Sequence, residues 1–157
     1  MATGVYQPIV PWSPEIYARG TTPLLEKASQ TFKKGAPLVS NAGYFEEAGS
    51  SPSTIAYIAA ENAHNAASDG LKEILAWRIV AGDVFEISCE DAHAVTDYLA
   101  NWGLVKDATT GFWYADSGNT ADQVTFLKPV KTPQLGVVGD TKYRALFEFQ
   151  TANIAGA

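Results

Sequence analysis

The sequence predicts an all-β protein, with a small β-barrel-like domain at residues 21–157 and an extended N-terminal arm at residues 1–20. From Leu24 onward, short segments rich in β-branched and aromatic residues alternate with turns of Gly, Pro, Asn and Asp, a pattern typical of antiparallel strands. The first twenty residues instead hold three evenly spaced prolines: Pro8, Pro11 and Pro14. This spacing removes backbone donors and favours extended backbone before each proline. A length of 157 residues corresponds to one domain.

The arm is rich in apolar side chains, which are Tyr6, Ile9, Val10, Trp12, Ile16 and Tyr17. A free linker would not expose this much apolar surface to water, so we expect the arm to bind its own body or a neighbouring molecule. Prolines reduce the conformational entropy lost on binding, and tryptophan is enriched at interface hot spots. We therefore predict that four of these residues bind a partner: Tyr6, Ile9, Val10 and Trp12. The alternative is that the arm packs on its own barrel and covers an edge strand.

The predicted strands follow one another almost to the end of the sequence. They are residues 24–32, 37–40, 44–47, 55–59, 74–80, 83–88, 104–106, 112–115, 124–130 and 143–150. The loop 107–111 joins two of them, and its Gly111 suits the positive φ that a hairpin of this length needs. In the last segment, aromatic residues alternate with mostly polar ones, which predicts one buried and one polar face.

One short helix is predicted at residues 91–101. Asp91 can cap its first amides, apolar residues recur inside it at helical spacing, and Gly103 ends it. Residues 60–70 contain alanines but also helix-breaking Asn, Ser and Asp and almost no apolar stripe, so they are interpreted as a loop.

Composition and charge exclude several classes of function. The protein is 46% hydrophobic and 18% charged, with a net charge of −6, so a general phosphate-binding surface is not expected and neither is nucleic acid as a partner. Residues 46–122 carry −10 and the flanking segments +2 each, which predicts either a solvated acidic face or ends that contact a partner. The sequence has no secretory signal pattern and no long apolar run, so no membrane association is expected. With the single Cys89, we expect no disulfide and folding in a reducing cytosol.

The two histidines mark the candidate chemical sites. On a helix, the spacing of Cys89 and His93 would place both on one face, which makes a zinc or cysteine-hydrolase site conceivable. A structural zinc site needs four ligands and no second pair is present, while a free cysteine ending an apolar strand is usually a small buried hydrophobe. His64 is interpreted as an exposed loop residue. We therefore expect no metal and no cofactor.

The nucleophile-elbow, dinucleotide and phosphate-loop motifs do not occur, so the sequence does not predict an enzyme. The alternative is a soluble ligand-binding or hydrolytic β domain. It would use tryptophans as a sugar platform with two nearby acids: Trp77, Trp102 and Trp113 with Asp83 and Glu86. Tryptophans in a small β domain are more often core residues.

Three stretches share one plan. Residues 31–60 run from a basic turn through a Gly-Ala-Pro-Leu-Val strand, a Gly-Tyr strand and a Glu-Ala-Gly turn to an Ile-Ala-x-Ile-Ala-Ala strand. Residues 61–88 continue it, and residues 103–116 read GLVKDATTGFWYAD. In this order the sequence, from about residue 24 to residue 150, resembles the small head decoration (cement) proteins of tailed bacteriophages. The proline-bearing arm and the segment 91–101 depart from that pattern.

The resemblance implies a β-barrel or β-tulip domain that binds the outer face of an assembled capsid and clamps neighbouring major capsid protein subunits. It also implies a virion protein on the capsid exterior, made in the host cytoplasm and forming a homo-oligomer on the capsid lattice. A tail or head-completion component is the alternative within the virion.

Overall fold

In the computed structural model, which describes residues 2–49, 52, 54–119, 121, 123–132 and 135–155, eleven strands form two sheets. The strands are β1 (Val10–Pro11), β2 (Thr22–Leu25), β3 (Pro37–Asn41), β4 (Tyr44–Glu47), β5 (Tyr57–Ala59), β6 (Glu73–Arg78), β7 (Val84–Cys89), β8 (Asn101–Lys106), β9 (Trp113–Asp116), β10 (Val124–Pro129) and β11 (Arg144–Phe149). The α-helix α1 (Pro14–Arg19) and two 3₁₀ turns, Val95–Asp97 and Thr151–Asn153, complete the regular structure of these residues. The all-β prediction is confirmed.

The larger sheet closes into a five-stranded barrel. Its order is β7-β11-β10-β8-β9, with neighbours antiparallel, and β9 returns to pair with β7 in parallel at Ser88↔Tyr114 and Cys89↔Ala115. β1 pairs with the same edge of β7, nearer the N-terminal end of β7, where Val10 pairs with Glu86 and Pro11 with Phe85. One edge of β7 is therefore shared between the barrel and the N-terminal segment.

Aromatic side chains fill the barrel. Trp102, Phe126 and Phe147 are fully buried, with ring centroids 5.5 Å apart for Trp102 and Phe126 and 5.4 Å apart for Phe126 and Phe147. Aromatic pairs of this geometry contribute about 0.5–1.5 kcal/mol each beyond the burial of their area. The second face of β11 carries mostly polar residues, as the sequence predicts, but part of it is covered, because Arg144 and Leu146 are buried. The N-terminal segment lies over Arg144 and shields it from water.

The second sheet has the order β2-β6-β5-β3-β4, with all neighbours antiparallel. Its two outer strands meet just beyond β2, where Glu26 forms a parallel bridge to Phe45 and the Lys27 amide donates to the Phe45 carbonyl at 2.9 Å. One face of this sheet holds the buried Leu24, Ile74 and Ala76. The first strand is shorter than predicted, ending at Leu25 rather than at residue 32.

The predicted helix at residues 91–101 is wrong: the segment contains only the 3₁₀ turn Val95–Asp97, and β8 begins at Asn101. Leu99 has a φ of +63°, which lies outside the helical region, and its amide donates to the Phe126 carbonyl of β10. Pairing with the neighbouring strand thus replaces the bonds that a helix would make within itself.

The sequence predicts no helix in the arm, and this is also wrong. Pro14 occupies the first turn of α1, where a missing N–H costs nothing, and the helix ends at Gly20 with φ +72°. The predicted hairpin loop is confirmed: Gly111 has φ +76°, and its amide donates to the Asp107 carbonyl at 2.8 Å. No helix among the described residues is long and apolar enough to cross a membrane.

Candidate docking surface

The first part of the N-terminal segment, residues 2–9, is bound to the protein's own barrel. Tyr6 is buried and its ring stacks on Tyr114 at 4.6 Å, with the Lys142 ammonium 4.8 Å from the Tyr6 ring centroid. Ile9 is 1% exposed and belongs to the main core. These two predicted partner-binding residues lie inside the fold, so their side chains offer no free surface.

Arg144 on β11 fastens this part of the segment. Its guanidinium donates to the carbonyls of Gln7 and Pro8 at 3.2 and 2.8 Å, to Ser88 Oγ at 3.1 Å, and to Glu86 Oε1 at 2.9 Å. Burial lowers the pKa of Arg144, and the hydrogen bond and charge of Glu86 oppose that shift. The buried cation is thus matched by one carboxylate and several neutral acceptors, as such a charge requires.

The second part of the segment, residues 10–19, buries Ile16 in the core but leaves several other side chains exposed. Val10 is half-buried in β1, whereas Trp12 is 49% exposed although its amide donates to the Val84 carbonyl at 2.9 Å. Tyr17 is 53% exposed; its hydroxyl donates to the Pro11 carbonyl at 2.9 Å and its ring contacts Trp77 edge-on at 5.3 Å. Two aromatic side chains are therefore held by their polar atoms or backbone while their rings face solvent.

The outer face of β2 and β6 continues this apolar surface. Because successive strand residues point to opposite sides, Leu75 and Trp77 project away from the buried Ile74 and Ala76. Pro23 lies opposite Leu75 in the pairing of the two strands. Trp12 directly follows Pro11, whose carbonyl accepts the Tyr17 hydroxyl, and we group it with these side chains. We call this group the aromatic face and define it by six residues: Trp12, Tyr17, Pro23, Leu25, Leu75 and Trp77.

Buried polar contacts fix the helix that carries Tyr17. Arg19 forms an ion pair with the buried Asp83 and donates to the Arg78 carbonyl at 3.3 Å. Asp83 also accepts the Val80 amide at 2.8 Å, and Ser13 Oγ accepts the Val84 amide at 2.8 Å. A surface fixed in this way loses little conformational freedom when a partner binds.

Of the four residues that the sequence predicts to bind a partner, Val10 is half-buried and Trp12 is about half exposed. That prediction does not include three further residues of the aromatic face: Tyr17, Leu75 and Trp77. A signal was present in β6, where apolar residues occupy both alternating sets of positions, so one apolar set had to remain outside.

Two of the three tryptophans that the sugar-platform alternative requires are buried in the core. Trp102 is fully buried and Trp113 is 2% exposed, with its indole N–H donating to Glu47 Oε1 at 2.8 Å. Trp77 is half-buried on the aromatic face. The two acids of that alternative, Asp83 and Glu86, are ion-paired with Arg19 and Arg144.

Cys89 and His93 are both buried but do not share a helix face. Desolvation raises the pKa of the Cys89 thiol, which keeps it protonated, as expected for a small buried hydrophobe. His93 Nδ1 lies 3.1 Å from Asp97 Oδ2, and its ring packs on Phe126 at 5.7 Å. Within the part of the protein that the structure describes, no group of three or more His, Cys, Asp and Glu residues is arranged to hold a metal ion.

His64 is the exposed loop residue that the sequence predicts, and its imidazole also contacts a buried carboxylate. Its Nδ1 lies 2.7 Å from Glu26 Oε2, and its amide donates to Glu26 Oε1 at 2.9 Å. The Glu26 carboxylate is fully buried, so His64 ties the loop to the second sheet.

Comparison of the sequence and fold with protein families, with characterised proteins and with solved structures finds no match.

Proposed function

We propose that this protein is a decoration protein of a tailed-phage virion, which binds the outer surface of the assembled capsid and stabilises contacts between major capsid protein subunits. The observation that carries the proposal is the aromatic face. Monomeric soluble proteins rarely leave a large contiguous apolar surface exposed, and aromatic residues are enriched where proteins bind one another. The three stretches that resemble head decoration proteins supply the class of partner.

In this proposal the two parts of the N-terminal segment have different roles. Trp12, together with Tyr17 and Trp77, contacts the capsid, and Val10 supports that contact from β1. Tyr6 and Ile9 hold the segment on the barrel and act only by positioning the rest. This division narrows the four predicted partner-binding residues to two that have accessible surface.

The charge distribution and the repetition of a capsid lattice fit this role. A net charge of −6 disfavours contact with packaged nucleic acid and suits a position on the capsid exterior. Many copies bound to one shell, associated there as homo-oligomers, act in parallel, so an individually modest contact adds up across the lattice.

Co-sedimentation with purified capsids of the phage that encodes the protein tests the proposal. We expect the protein to travel with shells, and Trp12→Ala to reduce occupancy at limiting protein by about thirtyfold, since truncating a central interface tryptophan commonly costs about 2 kcal/mol. Val5→Ala is the matched control, because Val5 lies on the same segment, is exposed, and is outside the aromatic face. A wild-type protein that never sediments with mature or expanded shells contradicts the proposal.

Electron microscopy of virions labelled on this protein separates the shell from the tail. Label distributed over the head is expected. Label confined to the tail or to the head–tail junction would instead identify a tail or head-completion component and overturn the decoration role.

A further inference from the structure

A small pocket lies where β6 leads into β7. Its volume is about 190 Å³, and its apolar lining includes Ile79, Val80, Ile154 and Ala155, so it is formed between the β6–β7 connection and the C-terminal 3₁₀ turn. Arg78 also lines it. Arg78 directly follows Trp77 in β6, and Arg19 of α1 donates to the Arg78 carbonyl, so the pocket begins where the strand that carries Trp77 ends.

The Arg78 side chain differs from the other two arginines of the protein. Arg19 is paired with Asp83 and Arg144 with Glu86. Arg78 is exposed, and no carboxylate of the described residues forms an ion pair with its guanidinium. An apolar pocket can bind an aliphatic group. An arginine beside it can bind a carboxylate through two parallel hydrogen bonds from its guanidinium group.

We propose that this pocket receives an aliphatic side chain of the capsid partner that stands next to a carboxylate, the chemistry of a carboxy-terminal residue, with the carboxylate bound by Arg78. This inference rests on the proposed function, because it names a chemical group of the capsid partner and the place on this protein that binds it. Charge complementarity selects the anionic group, and the apolar lining selects the side chain beside it. Capture of a terminal carboxylate is one of the recurring modes of peptide recognition.

The size of the pocket decides between this occupant and a cofactor or metabolite. Pockets for drug-sized ligands and cofactors range from about 300 to 1,000 Å³. At about 190 Å³ the pocket is below that range, and it accommodates one side chain with its neighbouring carboxylate rather than a larger molecule.

Titration of the full-length protein with N-acetyl-leucine, followed by amide resonances in heteronuclear NMR, tests the pocket directly. The probe combines an aliphatic side chain with a carboxylate, and N-acetyl-leucinamide is identical but uncharged. We expect shifts centred on the amides of Ile79, Val80 and Ala155, with at least about tenfold weaker binding of the amide probe, as expected when a charged hydrogen bond is lost. Equal binding of both probes, or no shifts at the pocket, would overturn the inference.

Arg78→Gln is the corresponding variant, and Lys72→Gln is its control, since Lys72 is an exposed cation just before the opposite end of β6. Arg78→Gln should lose the preference for the acid probe and reduce capsid occupancy by about tenfold, while Lys72→Gln matches the wild type. If the wild type sediments with capsids and Arg78→Gln does so equally, the inference fails and the decoration role stands. If the wild type does not sediment, the decoration role fails, and the titration alone decides the chemistry of the pocket.

Discussion

Residues 2–9 and residues 10–19 contain similar residue types, yet the structure buries the aromatic residue of the first part and exposes those of the second. Both contain an aromatic residue, a large aliphatic residue and at least one proline. In the first part, Tyr6 and Ile9 are buried against the barrel, and in the second part Trp12 and Tyr17 are about half exposed. Composition therefore does not separate a residue that holds the fold from one that is available to a partner.

The difference comes from what the barrel offers at each point. Beside residues 7 and 8 it provides a buried cation, Arg144, that binds two backbone carbonyls. Beyond Pro11 the contacts are different: backbone and Ser13 hydrogen bonds to Val84, the buried Ile16, and the ion pair of Arg19 with Asp83. These contacts hold the backbone and α1 in place but leave the rings of Trp12 and Tyr17 about half exposed.

The largest effect should follow removal of the cation that fastens the first part. Arg144→Met leaves Glu86 partly buried without its partner and the carbonyls of residues 7 and 8 without their donor. Removing one partner of a buried ion pair typically lowers the free energy of unfolding by about 3–5 kcal/mol. We expect a loss of that size for Arg144→Met in urea unfolding. Lys106→Met is the control, because the Lys106 ammonium is much more exposed than the Arg144 guanidinium, and its removal should cost about 1 kcal/mol or less. Similar losses in both variants would show that the guanidinium does not fasten the segment.

A smaller but still clear effect is expected for Ile9→Ala. Ile9 is almost fully buried, so the truncation should lower the unfolding free energy by about 3 kcal/mol. Val10→Ala next to it should cost about 1 kcal/mol, because Val10 is only half-buried and loses fewer methyl groups. Equal costs for the two neighbours in urea unfolding would contradict the proposed boundary within the segment.

A pH-dependent effect should appear at the start of the segment. The amides of Val137, Ala2 and Gly136 donate to the Asp140 carboxylate and hold its pKa below 3.8. The pKa of the Asp140 carboxyl group is therefore lower in the folded than in the unfolded protein. The ionised carboxylate stabilises the fold above pH 3.8, and this stabilisation is lost as the pH falls through the folded-state pKa. Asp140→Asn should therefore have a flatter decline of melting temperature than the wild type below pH 3.8. Parallel declines in calorimetry would exclude this contribution.

The strands were predictable because alternation and turn residues are local signals. The segment 44–47 and the hairpin around Gly111 agree with the sequence prediction, since neither depends on a distant residue. The helix at residues 91–101 failed because its capping and spacing were local signals that pairing with β10 overrode. The first helix was missed because the prolines were interpreted only as helix breakers, although Pro14 stands where a helix tolerates proline.

The candidate docking surface was only partly predictable, because its residues are far apart in sequence. The Tyr17 ring, for example, contacts that of Trp77, which lies sixty residues later. No local pattern encodes which of two similar apolar residues the barrel covers. The sequence therefore groups Tyr6 with Trp12, although the structure places them on opposite sides of that division.

The most direct test of this division measures unfolding free energy and capsid occupancy in parallel for Ile9→Ala and Trp12→Ala. Trp12→Ala should lower the unfolding free energy by about 1 kcal/mol, well below the loss for Ile9→Ala, while greatly reducing occupancy, because about half of the Trp12 side chain is exposed. Ile9→Ala should lose stability but keep the wild-type occupancy per folded molecule. If Trp12→Ala unfolds the protein without changing occupancy per folded molecule, or if Ile9→Ala abolishes binding at full stability, residues 10–19 are not the docking element.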